Sequence, residues 1–287
     1  MKNTLAGLLF AMLWASASVA TKIGLQSAQP LSIANTRFFL GGAIMLLFGH
    51  LVRRYRLPSA NEWLPLLIYG LLNVTIYLGA FVFAIKEVSA GIGSLSLATN
   101  PLTIAILSSV WLKRPIKRNE WIGLLLGLVG IGIAVYPLLL QSYASVRGIF
   151  ILLFSMLSYC VGTVYYSSRS WQLPIVVING WQILLGGICL LPFTFLMTNF
   201  SGDHYDLRFW ASVAWLVLPV SVGAVQLWLY LLKTDTVKAS LWLYICPIFG
   251  FLYAKWLLNE PITLYTLLGT VFVVGGLYIG QRKNKNS

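Results

Sequence analysis

The sequence predicts an all-α membrane protein, with ten transmembrane helices arranged as two five-helix repeats that enter the bilayer in opposite senses. Three observations predict it. Of 287 residues, 59 % are hydrophobic and only 9 % charged, against about 25 % charged in soluble domains, so too few polar residues exist to cover a water-facing surface. Ten apolar stretches each approach the roughly 20 residues that a helix needs to cross a hydrocarbon core. Residues of the first half recur in the second at a lag of 145 or 146.

The stretches cover residues 4–22, 31–52, 63–85, 89–112, 119–136, 146–167, 174–199, 209–232, 236–258 and 261–280. Short connections carry the charges and turn residues, as in Arg53-Arg54-Tyr55-Arg56-Leu57-Pro58 and Lys113-Arg114-Pro115-Ile116-Lys117-Arg118. The first stretch follows Lys2 and ends in small residues, as a secretory leader would. Its length, and a counterpart of Trp14 in the second half, make it a permanent helix. The second holds Arg37 about two turns inside, some ~10 Å along the axis. There the guanidinium either snorkels to the outer interface or offers a positive anchor to a carboxylate or phosphate. Gln182 takes the corresponding place in the seventh stretch, so such an anchor is one-sided.

The third stretch spaces Tyr69, Asn73 and Tyr77 at intervals of four. The fourth places Ser89, Gly93, Ser96, Asn100 and Thr103 on one helical face. Pro101 there denies the Leu97 carbonyl its helical donor; the result is a ligand contact or a kink healed by neighbouring side chains. The sixth carries Ser155, Tyr159, Gly162 and Tyr166, the eighth Trp215, Pro219 and Gln226, and the ninth Ser240, Tyr244 and Pro247. In the fifth and tenth, Gly123-x3-Gly127 and Gly276-x3-Gly280 have the spacing of close helix contacts. Trp63, Trp111, Trp121, Trp171 and Trp256 fall near span ends, where indoles favour the interface. Trp14, Tyr77, Tyr159 and Tyr244 lie deeper and suit stacking on a flat or apolar solute.

The formal charge of +13 resembles that of a polyanion-binding protein. Its distribution says otherwise: fourteen of the 20 Lys and Arg fall on the side that holds both termini, the pattern of cytoplasmic loops. The expectation is a multi-pass protein of the cell (inner) membrane with both termini cytoplasmic, a lipid-bilayer partner and no nucleic acid. Monomer and weak homodimer both remain open. The seven acids stand at span ends or in loops, so no carboxylate sits at mid-membrane. That favours facilitated diffusion or exchange over a carboxylate proton relay. Cys160, Cys189 and Cys246 lie inside spans as packing residues, and no cofactor or metal site is expected.

The lag joins Gly41-Gly42 to Gly186-Gly187, Ser94 to Ser240, Pro101 to Pro247, Pro115 to Pro261, Gly123 to Gly269 and Gly130 to Gly276. Five spans per half is an odd number, so residues 1–140 and 141–287 enter the membrane oppositely. Such inverted repeats build midplane sites that open to either side by rocking.

Lys86-Glu87-Val88-Ser89-Ala90-Gly91, Asn100-Pro101-Leu102 and Leu112-Lys113-Arg114-Pro115, repeated as Val237-Lys238-Ala239-Ser240, Cys246-Pro247-Ile248 and Leu258-Asn259-Glu260-Pro261, resemble the EamA family of the drug/metabolite transporter (DMT) superfamily over essentially the whole chain. The resemblance extends to Arg37, like an arginine common at that place, and implies that the first four spans of each half surround a cavity while the fifth and tenth stand outside. One position departs: the family usually has Leu-x-Glu at the end of the fourth and ninth spans, and Arg114 replaces the first of these acids.

Candidate substrate-binding residues are Trp14, Arg37, Asn73, Tyr77, Ser96, Asn100, Tyr159, Gln182, Gln226 and Tyr244. The expected activity is secondary transport of a small-molecule substrate, with export of amino acids or related metabolites by alternating access. A phosphorylated-solute exchanger, needing several cavity cations, and a non-transporting scaffold are the alternatives. An enzyme is not expected: Gly91-Ile92-Gly93-Ser94 would need a base within reach, and the two histidines, His50 and His204, fall at span ends or in loops.

Overall fold

The computed structural model describes residues 2–140, 145–259 and 263–281. These form helices α1 (Lys2–Gly24), α2 (Pro30–Val52), α3 (Ala60–Glu87), α4 (Ala90–Trp111), α5 (Arg118–Leu140), α6 (Val146–Ser167), α7 (Ile175–Met197), α8 (Leu207–Leu232), α9 (Thr236–Leu258) and α10 (Leu264–Gln281). Among the described residues eight of these, α1–α4 and α6–α9, are long and apolar enough, by length and composition, to cross a membrane. Leu51, Val110, Leu196 and Val271 are among many large apolar side chains left exposed, a surface suited to lipid. Glu260, Pro261, Arg282, Lys283 and Lys285, which entered the motif and charge readings, lie outside the described residues.

The scarce polar residues of the connections start helices. Ser59 and Glu62 form a capping box at the head of α3, with Arg56 donating to both Glu62 oxygens at 2.6 and 2.8 Å. Ser145 accepts from Gly148 N at 2.9 Å, Asp206 from Phe209 N at 2.8 Å and Asp235 from Lys238 N at 3.0 Å, capping α6, α8 and α9. Acids therefore occur where helix N-termini favour negative charge.

Several helices change pitch midway. Leu47–Val52, Leu71–Ile76 and Leu216–Ala224 are π-helical, while Leu97–Thr99 and Leu241–Ile245 tighten to 3-10 turns just before Asn100-Pro101 and Cys246-Pro247. The tightening corrects the expectation of a free Leu97 carbonyl. Asn100 N–H donates to it, so the 3-10 turn makes good the donor that Pro101 lacks.

Several packings recur when each helix is exchanged for the one five places along. α2 packs on α7, α4 on α9 and α5 on α10; α3 packs on α6 as α8 does on α1, and α1 packs on α9 as α6 does on α4. Along α2 and α7, Gly42 lies against Leu184 and Gly187 against Phe38, so the two run antiparallel. α5 and α10 also run antiparallel, through glycine: a Cβ on Gly123 would fall 2.5 Å from the Gly276 carbonyl oxygen, and one on Gly130 2.6 Å from that of Gly269. The seam is the close contact predicted from spacing, although Gly127 and Gly280 also face Tyr244 and Leu241 of α9.

Polar contacts close both ends of the bundle. At one end Arg114 donates to both Glu120 oxygens, at 2.9 and 2.7 Å, and to Asp235 at 2.8 Å. The start of α1 and the end of α10 reach this region, Asn3 accepting from Tyr230 Oη at 3.0 Å and Gln281 donating to the Lys238 carbonyl at 2.8 Å. At the other end Asp203 accepts from Gln29 N at 2.7 Å and Ser32 Oγ at 2.5 Å, and His204 N donates to the Ser27 carbonyl at 2.7 Å. Each closure joins an element of the first half to one of the second.

Candidate functional site

Between these closures, α1, α2 and α3 meet α6, α7 and α8 around a cavity of about 20 Å³, whose walls include Trp14, Arg37, Tyr69, Asn73, Tyr77, Tyr159, Gln182, Ser221 and Trp228. A neighbouring pocket of about 10 Å³ shares Trp14, Arg37 and Tyr77 and adds Ser18, Phe81 and Leu97. Together they form a narrow central chamber. α4 contributes only Leu97 to it and α9 nothing, which trims the expectation that four spans of each half would surround the cavity. A groove of about 280 Å³ between α1, α8 and α9 is larger. Its walls carry no charged residue; the Ser16 and Ser212 hydroxyls and Trp215 Nε1 are hydrogen-bonded to protein groups, which leaves the Tyr253 hydroxyl and little else to orient a polar solute.

Pitch changes set the chamber walls. Tyr69 and Tyr77 bracket the π segment of α3, Asn73 lies within it, and all three line the chamber. The π segment of α8 brings Ser221 to the chamber, followed by Val225 and Trp228. Wide turns of this kind often occur at functional sites. Tyr159 is the hub of the aromatic lining, its ring centroid 4.8 Å from Tyr77, 5.8 Å from Trp228 and 6.2 Å from Trp14.

Arg37 is 4 % exposed, so it does not snorkel to the interface. Its Nε donates to Ser221 Oγ at 2.8 Å. Asn179 Nδ2 donates to the Ser221 carbonyl at 2.8 Å, and Gln182 Nε2 donates to Asn179 Oδ1 at 3.0 Å. One hydrogen-bonded run thus joins Arg37 of the first half to Gln182 of the second. Arg37 is the one formal charge on the chamber wall and forms no salt bridge among the described residues. Tyr159 Oη, Gln182 Oε1 and Trp228 Nε1 are buried without a hydrogen-bond partner. The chamber therefore offers a cation, two groups able to donate and an amide acceptor, set among aromatic faces.

Six candidates converge there: Trp14, Arg37, Asn73, Tyr77, Tyr159 and Gln182. The other four do not line the chamber. Ser96 Oγ turns back to the Gly93 carbonyl at 2.7 Å. Asn100 ties α4 to α6, through Met156 and through the Cys160 thiol, 3.4 Å from its Oδ1. Gln226 Nε2 approaches Met45 Sδ at 3.8 Å. Tyr244 Oη donates to the Leu124 carbonyl at 2.9 Å, so its ring points to α5 instead. Ser221 and Trp228 line the chamber in place of Trp215, Pro219 and Gln226, and with Val225 they share a face at intervals of four and three. Ser94, the residue of the glycine-rich stretch, is fully buried, with Ser18 Oγ at 3.2 Å and the Ala15 carbonyl at 3.4 Å as partners.

A family model described as the EamA-like transporter family matches residues 1–136 and again 146–280. An "Uncharacterized transporter" of Synechocystis sp. is 28 % identical, over 94 % of this chain and 87 % of its own length. The "Uncharacterized transporter YvbV" of Bacillus subtilis is 24 % identical, over 96 % and 90 %. A solved crystal structure shares the fold, with a TM-score of 0.78 at 18 % identity and 98 % and 96 % of the two chains covered.

Proposed function

Since the chain belongs to the EamA-like transporter family, and so is a multi-pass membrane transporter, we propose that it moves small organic metabolites by alternating access, exporting amino acids or related compounds. One observation carries the proposal: the chamber lies where the two halves meet, takes three helices from each, and holds a cation and unpaired polar groups between two closed ends. In this reading α5 and α10 also cross the bilayer, giving ten spans as inverted repeats of residues 1–140 and 141–287. The exchange symmetry of the packing and the antiparallel α2–α7 and α5–α10 pairs support it. The end that holds both chain termini faces the cytoplasm, as the weight of Lys and Arg favours.

Phosphorylated solutes fit less well, because they call for several cations and the chamber wall supplies Arg37 alone. Purified protein reconstituted into liposomes tests the proposal by counterflow with a panel of amino acids and related organic acids. At least one should exchange, and Arg37→Gln should slow it by about ten- to a hundred-fold, as expected for a charge-assisted contact worth about 1.5–3 kcal/mol, with the melting temperature held. Folded protein that exchanges none of them overturns it.

A further inference from the structure

A second polar pocket, of about 360 Å³, opens at the end of the bundle that holds the chain termini, lined by Tyr166, Ser167, Arg169, Trp171, Leu232 and Lys233. Two cations share it, and neither forms a salt bridge among the described residues. The acid nearest Lys233 in sequence, Asp235, is held by Arg114. Arg169 lies 5.1 Å over the Tyr165 ring, which helps to fix its position at the mouth. Tyr166 Oη and Ser167 Oγ are buried without a partner, and Tyr166 is only 2 % exposed. Cations and unspent hydroxyls together are the donor set for an oxyanion.

The pocket also leads inward. The Tyr166 ring stacks on Trp171 at 5.5 Å and meets Tyr69 at 5.3 Å, and Tyr69 is itself a wall of the central chamber. The Tyr69–Tyr166 pair thus stands between Arg169 and Lys233 outside and Arg37 inside.

We propose that this pocket is a vestibule that binds the carboxylate of small organic acids and passes them, past Tyr69 and Tyr166, to Arg37. The binding half stands alone, while the passage to Arg37 rests on the transport reading above. Positive charge at the mouth raises the local concentration of anions and speeds their capture. A single inner cation then suits a singly charged carboxylate.

The test uses the full chain in an uncharged maltoside detergent at low salt, titrated with phenylacetate, 2-phenylethanol and 2-phenylethylamine. These share one ring and carry negative, no and positive charge. Phenylacetate should bind at least about ten-fold more tightly than the other two. Arg169→Gln with Lys233→Gln should weaken it about ten-fold and flatten its salt dependence, leaving the ligand-free melting temperature unchanged because both side chains are exposed. No phenylacetate binding, equal binding of the alcohol, or a double variant that matches the parent overturns the proposal. So does binding seen only as a preference for nanodiscs of phosphatidylglycerol over phosphatidylcholine, which would assign the cations to lipid headgroups. Phenylacetate binding that needs Arg169 and Lys233, in protein that moves no solute across liposomes, keeps the vestibule and removes the transport reading. Transport indifferent to both solute charge and the double variant does the reverse.

Discussion

Tyr159 Oη, Gln182 Oε1 and Trp228 Nε1 are buried beside a cation with no protein partner, and each such group costs about 1–3 kcal/mol relative to a satisfied one. On the chamber wall such a group is free to serve a ligand. Tyr159→Phe should therefore hold or raise the melting temperature while slowing transport; a fall in both would return the hydroxyl to a structural role. Arg37→Lys keeps the charge but loses the planar fork whose Nε holds Ser221. It should transport with a half-saturation several-fold higher than the parent, read by concentration dependence in liposomes. At this scale the sequence was informative where intramembrane polarity met depth, as for Arg37, Asn73 and Gln182. It misled where a polar residue had a local partner, since spacing does not distinguish Ser96, spent on its own helix, from Ser221.

Helix existence was legible because twenty-residue apolar runs and their capping residues are local signals, and Ser59 and Glu62 form the capping box that begins α3. Pitch was not. The π segment Leu216–Ala224 has no periodic mark in the sequence, and α8 offers two polar or aromatic faces, of which the one with Ser221 and Trp228 lines the wall and the one with Trp215 and Gln226 does not. Tyr244 was misplaced by a tertiary cause, a carbonyl on α5 that its hydroxyl reaches. The α5–α10 seam gives this scale its prediction. Gly123→Ala puts a methyl 2.5 Å from the Gly276 carbonyl oxygen and should lower stability by about 1–3 kcal/mol, the usual cost of overpacking. Gly275→Ala meets nothing within 4 Å and should be neutral or stabilising. Thermal unfolding in detergent compares the two, and transport per folded molecule should change in neither.

Across the whole molecule, the two halves are latched at both ends, and the position that departs from the family pattern is one of the latches. Arg114, in the place usually held by an acid, joins Glu120 to Asp235, and those two acids keep its pKa raised above the ordinary arginine value, chiefly through the Glu120 hydrogen bonds. Asp235→Asn retains a side chain able to cap α9 but loses the ion pair. It should loosen that end, seen as faster labelling of a Ser167→Cys variant by an impermeant maleimide; unchanged labelling would make the pair a bystander. No Asp or Glu lines the chamber, so accumulation driven by an imposed pH gradient, and abolished by an uncoupler, is not expected. Vesicle uptake measures this directly.

The larger cavity of the chamber between the latches measures about 20 Å³ and its neighbour about 10 Å³, close to the room one water needs. A ten-atom metabolite displaces far more, so each turnover has to create space that the closed protein lacks. Transport should then have a positive activation volume: modest hydrostatic pressure, too low to unfold the chain, would slow the cycle by favouring the form with less room inside it.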